Sequence, residues 1–275
     1  MRTLAFSWAA LSDEIASDLE AALATMAGCG IRAAELRTVF GKNVLDLSDE
    51  DASRCAAVLR ANGCTVSGLA SPIGKSPLGQ PAGFEDGRLR RACALAARLG
   101  TDRIRVFSFY PDGQPTAAGG EEVVRRIAGW AHVAEEAGIT LVLENEVGLW
   151  GDVPERCLRI LTAVGSPRLR LAWDPANFLR SGVGRPFTEG WPLLGPHVAC
   201  VHVKDCRPDG THTPAGEGAG QWPELVRALA ERGGVPLVME PHLEVAGHSV
   251  GFTGPERFRE AVAAIRGLVA RAHPS

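Results

Sequence analysis

Four segments of the chain end an apolar run with a side chain that can bind a divalent cation or move a proton. They are LVLE ending at Glu144, LAWD ending at Asp174, VHV with His202 at its centre, and LVME ending at Glu240. A buried carboxylate is costly unless it is paired, hydrogen-bonded or bound to a metal. Carboxylate oxygens with one imidazole nitrogen suit an ion such as Mn2+, Mg2+, Co2+ or Zn2+. These residues therefore predict a site for one divalent ion.

The order of elements along the chain explains how these side chains come to one place. Short apolar, β-branched or aromatic runs predict strands, and each is followed by a loop and an Ala-, Leu-, Arg- and Glu-rich helical stretch. The predicted strands are Leu4–Trp8, Ala33–Arg37, Thr65–Ala70, Ile104–Phe109, Thr140–Glu144, Leu169–Asp174, Val198–Lys204 and Leu237–Glu240. The predicted helices fall near 13–28, 49–62, 85–99, 120–137, 154–164, 187–195, 222–232 and 255–271.

Residues typical of helix ends support these boundaries. Serine precedes acidic residues at Ser12 and Ser48, and Pro154 and Pro255 stand where a first helical turn tolerates proline. Glycine follows several helices, where a left-handed C-cap is needed. The positions are Gly30, Gly63, Gly100 and Gly138.

Eight strands alternating with eight helices indicate the α/β class and a closed (β/α)8 TIM barrel. A doubly wound open sheet is the competing architecture, but no G-x-G-x-x-G turn follows the first strand. No linker-like segment interrupts the chain, so we predict that residues 1–275 form one domain. Active sites of this barrel are built at the carboxyl ends of the strands, which is where the four polar side chains fall.

Composition and charge limit the classes of function. The 275 residues are 45% hydrophobic and 22% charged, with a net charge of −3. This balance gives no electrostatic attraction to nucleic acid or an anionic membrane, and we predict neither as a partner. Seven dispersed cysteines without a C-x-x-C pair are typical of reduced thiols, and no apolar run is long enough to span a bilayer. The sequence therefore predicts a cytoplasmic protein.

Short motifs along the chain resemble the sugar-phosphate isomerase/epimerase superfamily, whose members have xylose-isomerase-like barrels. They are AELR at 34–37, SPIGK at 71–75, LENE at 143–146, WDPANF at 173–178, HVKD at 202–205, GEG at 216–218 and MEP at 239–241. Relatives include ketose 3-epimerases, hydroxypyruvate isomerases, inosose isomerases and dehydratases, and 3-dehydroshikimate dehydratases. The resemblance covers nearly the whole chain. It implies an enzyme with one divalent metal ion, for which Mn2+ is favoured and Mg2+, Co2+ or Zn2+ are alternatives.

The resemblance also implies roles for individual residues. Four residues match the metal ligands of the superfamily: Glu144, Asp174, His202 and Glu240. Glu144 and Glu240 also match the acid/base pair that flanks the substrate carbon. Asn177 stands where some ketose epimerases have a histidine that contacts substrate oxygens, so their particular sugar specificity does not transfer directly.

Five residues are predicted to bind substrate: Arg207, Asn177, Lys204, Glu35 and Glu217. Arg207 stands where several superfamily members place a substrate-binding arginine. Glu35, near the end of the second strand, either bonds a substrate hydroxyl or forms an ion pair with Arg37. Lys204 either binds substrate or pairs with the following aspartate. Glu217, in the AGEGAG loop, either reaches the site as a lid residue or stays solvated.

The resulting hypothesis is a divalent-metal-dependent isomerase or epimerase of a sugar, ketose or sugar acid, which is a small carbohydrate partner. Proton abstraction alpha to a carbonyl needs a base and a stabiliser for the enediolate oxygens, which a divalent ion supplies as a Lewis acid. A dehydratase of an inosose-like or 3-dehydroshikimate-like substrate is the alternative, because it shares the proton abstraction. An apurinic endonuclease and a non-catalytic sugar-binding subunit are weaker alternatives. A homo-oligomeric state is left open.

Overall fold

Eight parallel strands form a closed barrel at the centre of the protein. The computed structural model describes residues 6–246 and 249–272. The strands are β1 Trp8–Leu11, β2 Ala33–Leu36, β3 Thr65–Leu69, β4 Arg103–Val106, β5 Thr140–Glu144, β6 Leu169–Trp173, β7 Val198–Val203 and β8 Leu237–Met239. Each strand pairs with its neighbour in the sequence, and β1 pairs with β8 to close the barrel. The predicted (β/α)8 architecture is confirmed.

Helices cover the outside of the barrel. They are α1 Leu19–Gly28, α2 Asp49–Ala61, α3 Ala82–Leu99, α4 Ala117–Glu136, α5 Pro154–Val164, α6 Pro175–Arg180, α7 Pro186–Leu194, α8 Trp222–Glu231 and α9 Pro255–Ala272. Ser48 caps α2 through a capping box with Asp51, and prolines begin α5 and α9 as predicted. Within the described residues, no helix is both long and apolar enough to cross a membrane.

The first strand is shifted from the predicted Leu4–Trp8 to Trp8–Leu11. Residues 4–5 lie outside the described residues. Continuous burial begins at Ala9, whereas Ser7 is exposed. A parallel barrel strand is covered on both faces, so the later half of the apolar run provides the strand.

Other boundaries differ from the prediction by a few residues, and two of them change the path of the chain. Ser12 begins a short 3-10 turn rather than a long helix, and α1 starts later, where the Asp18 side chain accepts a backbone N–H. Strand β4 ends at Val106 rather than at Phe109. The N–H groups of Phe107 and Phe109 donate to carbonyl oxygens of the loop after β3 at 2.8 Å and 2.7 Å, which takes this segment out of the barrel.

Alternation along the strands builds the inside of the barrel in layers. One layer is a cluster of mostly small apolar side chains: Ala9, Leu11, Ala70, Val142, Ala172, Cys200 and Val238. Because successive side chains of a strand point to opposite faces, a residue two positions later lies on the same face and nearer the carboxyl end. Four members of the apolar layer are followed at this spacing by Glu144, Asp174, His202 and Glu240. The apolar layer therefore supports a polar layer at the mouth of the barrel.

Candidate active site

A cavity of about 600 Å³ opens at the carboxyl ends of the barrel strands. Its wall includes Glu144, Asn177, Lys204 and Glu240, together with the aromatic ring of Phe107. A concave site of this size suits a small molecule. The cavity lies where this fold normally places an active site.

Glu144, Asp174, His202 and Glu240 lie together at the base of this cavity. One possible ligand atom from each residue lies within 4.8 Å of the others. All four residues are buried, with at most 3% of any one exposed. His202 Nδ1 lies 2.7 Å from Glu240 Oε2 and 3.1 Å from Glu144 Oε1. The structure thus brings together the four residues that the sequence predicted as metal ligands; we call them the ligand cluster.

Two buried cations pair with carboxylates of the ligand cluster. Arg105 lies 3.0 Å from Glu144 Oε2, and Lys204 Nζ lies 2.7 Å from Asp174 Oδ2. Lys204 therefore pairs with Asp174 rather than with Asp205, the partner considered from the sequence. This pairing leaves Lys204 in the cavity wall, close to any bound substrate.

Burial and charge act against each other on the pKa values of the cluster. Burial would raise the pKa of Glu144, but the charges of His202 and Arg105 lower it to about 2. Burial raises the pKa of Asp174 to about 6, although the charge of Lys204 opposes this rise. Burial would lower the pKa of His202, but the neighbouring glutamates raise it well above its usual value. At Asp174, therefore, burial outweighs the nearby positive charge.

The donor atoms of the ligand cluster fit a divalent metal ion. Three carboxylate oxygens accept no hydrogen bond of good geometry from the described residues: Glu144 Oε2, Asp174 Oδ2 and Glu240 Oε2. Carboxylates also outnumber permanent cations in and around the ligand cluster. The cations are Arg37, Arg105 and Lys204, and the carboxylates are Asp13, Glu14, Glu35, Glu144, Asp174 and Glu240. Oxygen donors with one imidazole are ligands of Mn2+ and similar ions. Each of these oxygens lies beside a cationic or imidazole nitrogen, and a bound ion would share them with Arg105, Lys204 and His202.

Glu35 lies on the inner face of the barrel, behind His202, and not in the cavity wall. It is 1% exposed, and its Oε1 lies 4.0 Å from His202 Nε2. With a metal bound at His202 Nδ1, Nε2 would carry the proton and face Glu35. The 4.0 Å separation is longer than a hydrogen bond, so Glu35 would hold this orientation through its charge, as carboxylates beside metal-binding histidines strengthen the ligand. The predicted contact of Glu35 with a substrate hydroxyl, and its ion pair with Arg37, are therefore not supported.

We expect Glu35→Met to weaken Mn2+ binding by about 10–100-fold, because His202 would lose the carboxylate that orients it. Glu35→Gln keeps an acceptor of similar shape, so its Mn2+ affinity should fall between those of the wild type and the methionine variant. Titration calorimetry with Mn2+ measures both affinities without relying on turnover. Wild-type affinity in a folded Glu35→Met protein would contradict this role.

The amides of Asn145 and Asn177 join the ends of β5 and β6. Asn145 Nδ2 donates to the Asp174 carbonyl oxygen at 2.8 Å, and Asn145 Oδ1 accepts the Asp174 N–H at 2.9 Å. Asp174 Oδ1 then caps α6 by accepting the Asn177 N–H at 2.9 Å. Asn177 Nδ2 donates to Glu144 Oε1 at 3.3 Å. The unpredicted helix α6 thus carries Asn177 to the cavity wall, where the sequence expected a substrate-binding residue.

Glu14 and His242 form a second buried pair beside Glu240. His242 Nδ1 lies 3.0 Å from Glu14 Oε1, and His242 Nε2 lies 3.8 Å from Glu240 Oε1. Arg37 joins this group, at 3.2 Å from Glu14 and 3.4 Å from Glu240. The sequence analysis missed Glu14, because placing the first strand too early assigned this residue to a surface helix.

Asp205 organises the glycine-rich loop that follows β7. Its carboxylate accepts four backbone N–H groups at 2.9–3.0 Å, from Cys206, Gly216, Gly218 and Gly220. A Cβ added at Gly218 would overlap Asp205 Oδ1, so the close approach requires glycine there. The carboxylate thus holds the loop in place from within.

Arg207 and Glu217 are exposed and do not belong to the cavity wall. Arg207 lies in a short hairpin, where its N–H donates to the Thr211 carbonyl oxygen at 2.9 Å. Glu217 belongs to the loop that Asp205 holds, and its side chain faces solvent. Their contacts with substrate stay predictions, since neither side chain borders the cavity. The cavity wall instead includes Arg180 and His212, which the sequence analysis did not single out.

Comparison with known families agrees with this architecture. The model of the family described as xylose isomerase-like TIM barrel matches residues 23–268. The chain belongs to this family. The matched range contains every residue of the ligand cluster. No curated protein matches the chain in sequence.

Solved structures of proteins with different named activities share this fold. A probable 3-DHS dehydratase involved in petrobactin synthesis, from Bacillus anthracis, is 16% identical with a TM-score of 0.75, covering 95% of this chain and 99% of that one. A D-psicose 3-epimerase from Clostridium cellulolyticum H10, solved with D-tagatose, is 16% identical with a TM-score of 0.73, covering 97% and 99%. An AP endonuclease, family 2, from Brucella melitensis is 16% identical with a TM-score of 0.70, covering 88% and 95%. At these identities the similarity establishes the fold alone.

Proposed function

We propose that this protein is a divalent-metal-dependent isomerase or epimerase of a sugar, ketose or sugar acid. One observation carries the proposal. Glu144 from β5 and Glu240 from the end of β8 both reach the ligand cluster and the cavity, each beside His202 Nδ1. A substrate carbon held over this cluster would have a carboxylate on either side. Glu144, Asp174, His202 and Glu240 would hold the ion, for which we favour Mn2+.

The two glutamates are held by different partners, which suits two separate proton transfers. Arg105 and Asn177 orient Glu144, whereas Arg37 lies beside Glu240. One carboxylate would take the proton from the carbon alpha to the substrate carbonyl, and the other would return a proton. When bound, the divalent ion supplies Lewis-acid polarisation of the substrate oxygens.

Other groups in the cavity wall are placed to bind substrate oxygens. Asn177 Oδ1 is buried and has no hydrogen-bond partner among the described residues. An unsatisfied buried acceptor is costly, and a substrate hydroxyl would satisfy it. Lys204 Nζ lies 3.9 Å from Glu240 Oε2 and so stands beside a carboxylate proposed to move the proton. These contacts would fix which carbon faces Glu144 and Glu240.

A dehydratase of an inosose-like or 3-dehydroshikimate-like substrate is the alternative within the same chemistry. The same carboxylate would remove the same kind of proton, and the outcome would differ in the loss of a hydroxyl group as water. An apurinic endonuclease is disfavoured by the net charge of −3. The cavity cations Arg105 and Lys204 are already paired with carboxylates, which disfavours an apurinic endonuclease further. A non-catalytic sugar-binding role would leave the clustering of three buried carboxylates and one imidazole unexplained. The dispersed free cysteines support a cytoplasmic location.

A substrate screen in deuterated buffer with Mn2+ tests the proposed function. Ketoses, their phosphates, sugar acids and inososes would each be incubated with the protein, and the products identified by NMR. We expect one ketose or sugar acid to be isomerised or epimerised with solvent deuterium at the carbon alpha to the carbonyl. A dehydrated product would favour the lyase alternative. No exchange with any sugar, in protein shown to hold Mn2+, would contradict both.

A further inference from the structure

The basic residues of the cavity wall differ in whether they have a partner. Arg37, Lys75, Arg105 and Lys204 each pair with a carboxylate. Arg180 is exposed to solvent and also belongs to the wall, but no hydrogen bond or ion pair joins its side chain to another described residue. Its positive charge therefore remains available to a molecule in the cavity.

Helix α6 gives Arg180 a defined position relative to the ligand cluster. Asn177, on the same helix, donates to Glu144 Oε1 at 3.3 Å and so marks the end of the cavity nearest the cluster. Residues three positions apart lie on the same face of a helix, about 4.5 Å apart along its axis. Arg180 therefore stands about one turn farther out than Asn177, on the face that borders the cavity.

His212 also lines the cavity, and its pKa responds to the positive charge of Arg180. Burial, and then the charges of Lys204, His242 and Arg180, lower the pKa of His212 to about 4. Its Nδ1 is buried without a hydrogen-bond partner among the described residues. Arg180 and Lys204 therefore lie close enough to act on this ring, which offers an unused hydrogen-bonding nitrogen to a bound molecule.

We propose that Arg180 binds a carboxylate at the end of the substrate remote from the ligand cluster, which makes the substrate a sugar acid. The inference rests on the proposed function and narrows its substrate class. A guanidinium group offers two parallel N–H donors to a planar carboxylate. One guanidinium beside a neutral imidazole balances a monoanion, whereas a phosphate dianion would need more positive charge. Arg180 takes the role that the sequence analysis gave to Arg207.

Titration calorimetry of the Mn2+-loaded protein with D-glucuronate, D-glucose and D-glucose 6-phosphate tests this assignment. We expect the wild type to bind D-glucuronate about 10–100-fold more tightly than D-glucose, the range for a hydrogen bond between charged groups. Arg180→Gln should remove this preference and leave the affinity for D-glucose unchanged. Arg180→Lys should restore part of the preference, because an ammonium group keeps the charge without the planar fork.

Arg185→Gln is the matched control, since Arg185 is exposed and outside the cavity wall and should keep the preference. No preference for D-glucuronate in the wild type, or a preference that survives Arg180→Gln, would overturn the assignment. A preference abolished by Arg207→Gln instead would restore the sequence-based choice and overturn ours. Tighter binding of the 6-phosphate than of D-glucuronate would identify a phosphate site and also overturn it. Metal-dependent deuterium exchange on neutral ketoses would still support the proposed function, so the two failures are distinguishable.

Discussion

Dialysis against a chelator should abolish turnover of the substrate that the screen identifies, and Mn2+ should restore it. The physical reason is the crowding of carboxylates in the ligand cluster, where Asp174 already has a raised pKa because burial outweighs the charge of Lys204. Without an ion, the substrate oxygens would lose the Lewis acid that the proposed mechanism needs, and the nearby cations Arg105 and Lys204 are already paired with carboxylates. The measurement combines turnover with the metal content of the same sample.

A second readout of the metal does not depend on activity. Binding to the folded state alone stabilises it by about 2.7 kcal/mol when free Mn2+ is 100 times its Kd, and the melting temperature should rise accordingly. His202→Ala should lose this stabilisation because it removes the nitrogen ligand. His132→Ala is the control, since His132 is exposed on α4 and pairs only with Glu136 there. Full activity in protein that elemental analysis shows to be metal-free would rule out the metal-dependent mechanism.

Glu144→Gln and Glu240→Gln should each lower kcat by about 10²–10⁴, the usual contribution of a positioned acid or base. Each substitution replaces a carboxylate by an amide of the same shape, which cannot take or return the proton. Loss of one carboxylate should also slow deuterium incorporation at the carbon alpha to the carbonyl. Steady-state turnover and NMR exchange measured on the same preparations test both expectations.

The controls for these variants must separate catalysis from metal binding, because Glu144 and Glu240 also belong to the ligand cluster. Metal content is therefore measured for each variant at saturating Mn2+. Glu85→Gln is the matched structural control. Glu85 is also buried, at 1% exposure, and pairs with Ser76 and Arg88 outside the cavity. A Glu144 or Glu240 variant that holds Mn2+ and keeps near-normal turnover would show that residue to be a ligand only.

The residues that were predicted well from the sequence are those fixed by regular local structure. The positions of Glu144, Asp174, His202 and Glu240 follow from the apolar runs that predict the strands, because each residue stands at or near the carboxyl end of such a run. Barrel closure then brings four consecutive strand ends together. Local periodicity and one fold rule were enough to predict these neighbours.

The residues that were predicted poorly depend on loops and on contacts between distant segments. Glu14 meets His242 across more than two hundred positions of the chain, and no local pattern shows such a contact. Arg180 reaches the cavity only because Asp174 begins the short helix α6, which has no apolar repeat to reveal it. Arg207 follows a barrel strand closely, yet a tight hairpin turns it into solvent. The place of a residue just after a strand thus predicts the end of the barrel at which it lies. It does not predict the direction in which a loop side chain points.

The backbone hydrogen bonds to the Asp205 carboxylate divide one short loop into positions that tolerate no side chain and positions that tolerate substitution. Gly218 and Gly220 approach the carboxylate too closely for any side chain, and their N–H groups define the path of the loop. Glu217 contributes only an exposed side chain, so replacing it leaves that path intact. Mutational drift and laboratory selection can therefore alter the outer surface of this loop freely, while the support beneath it stays the same.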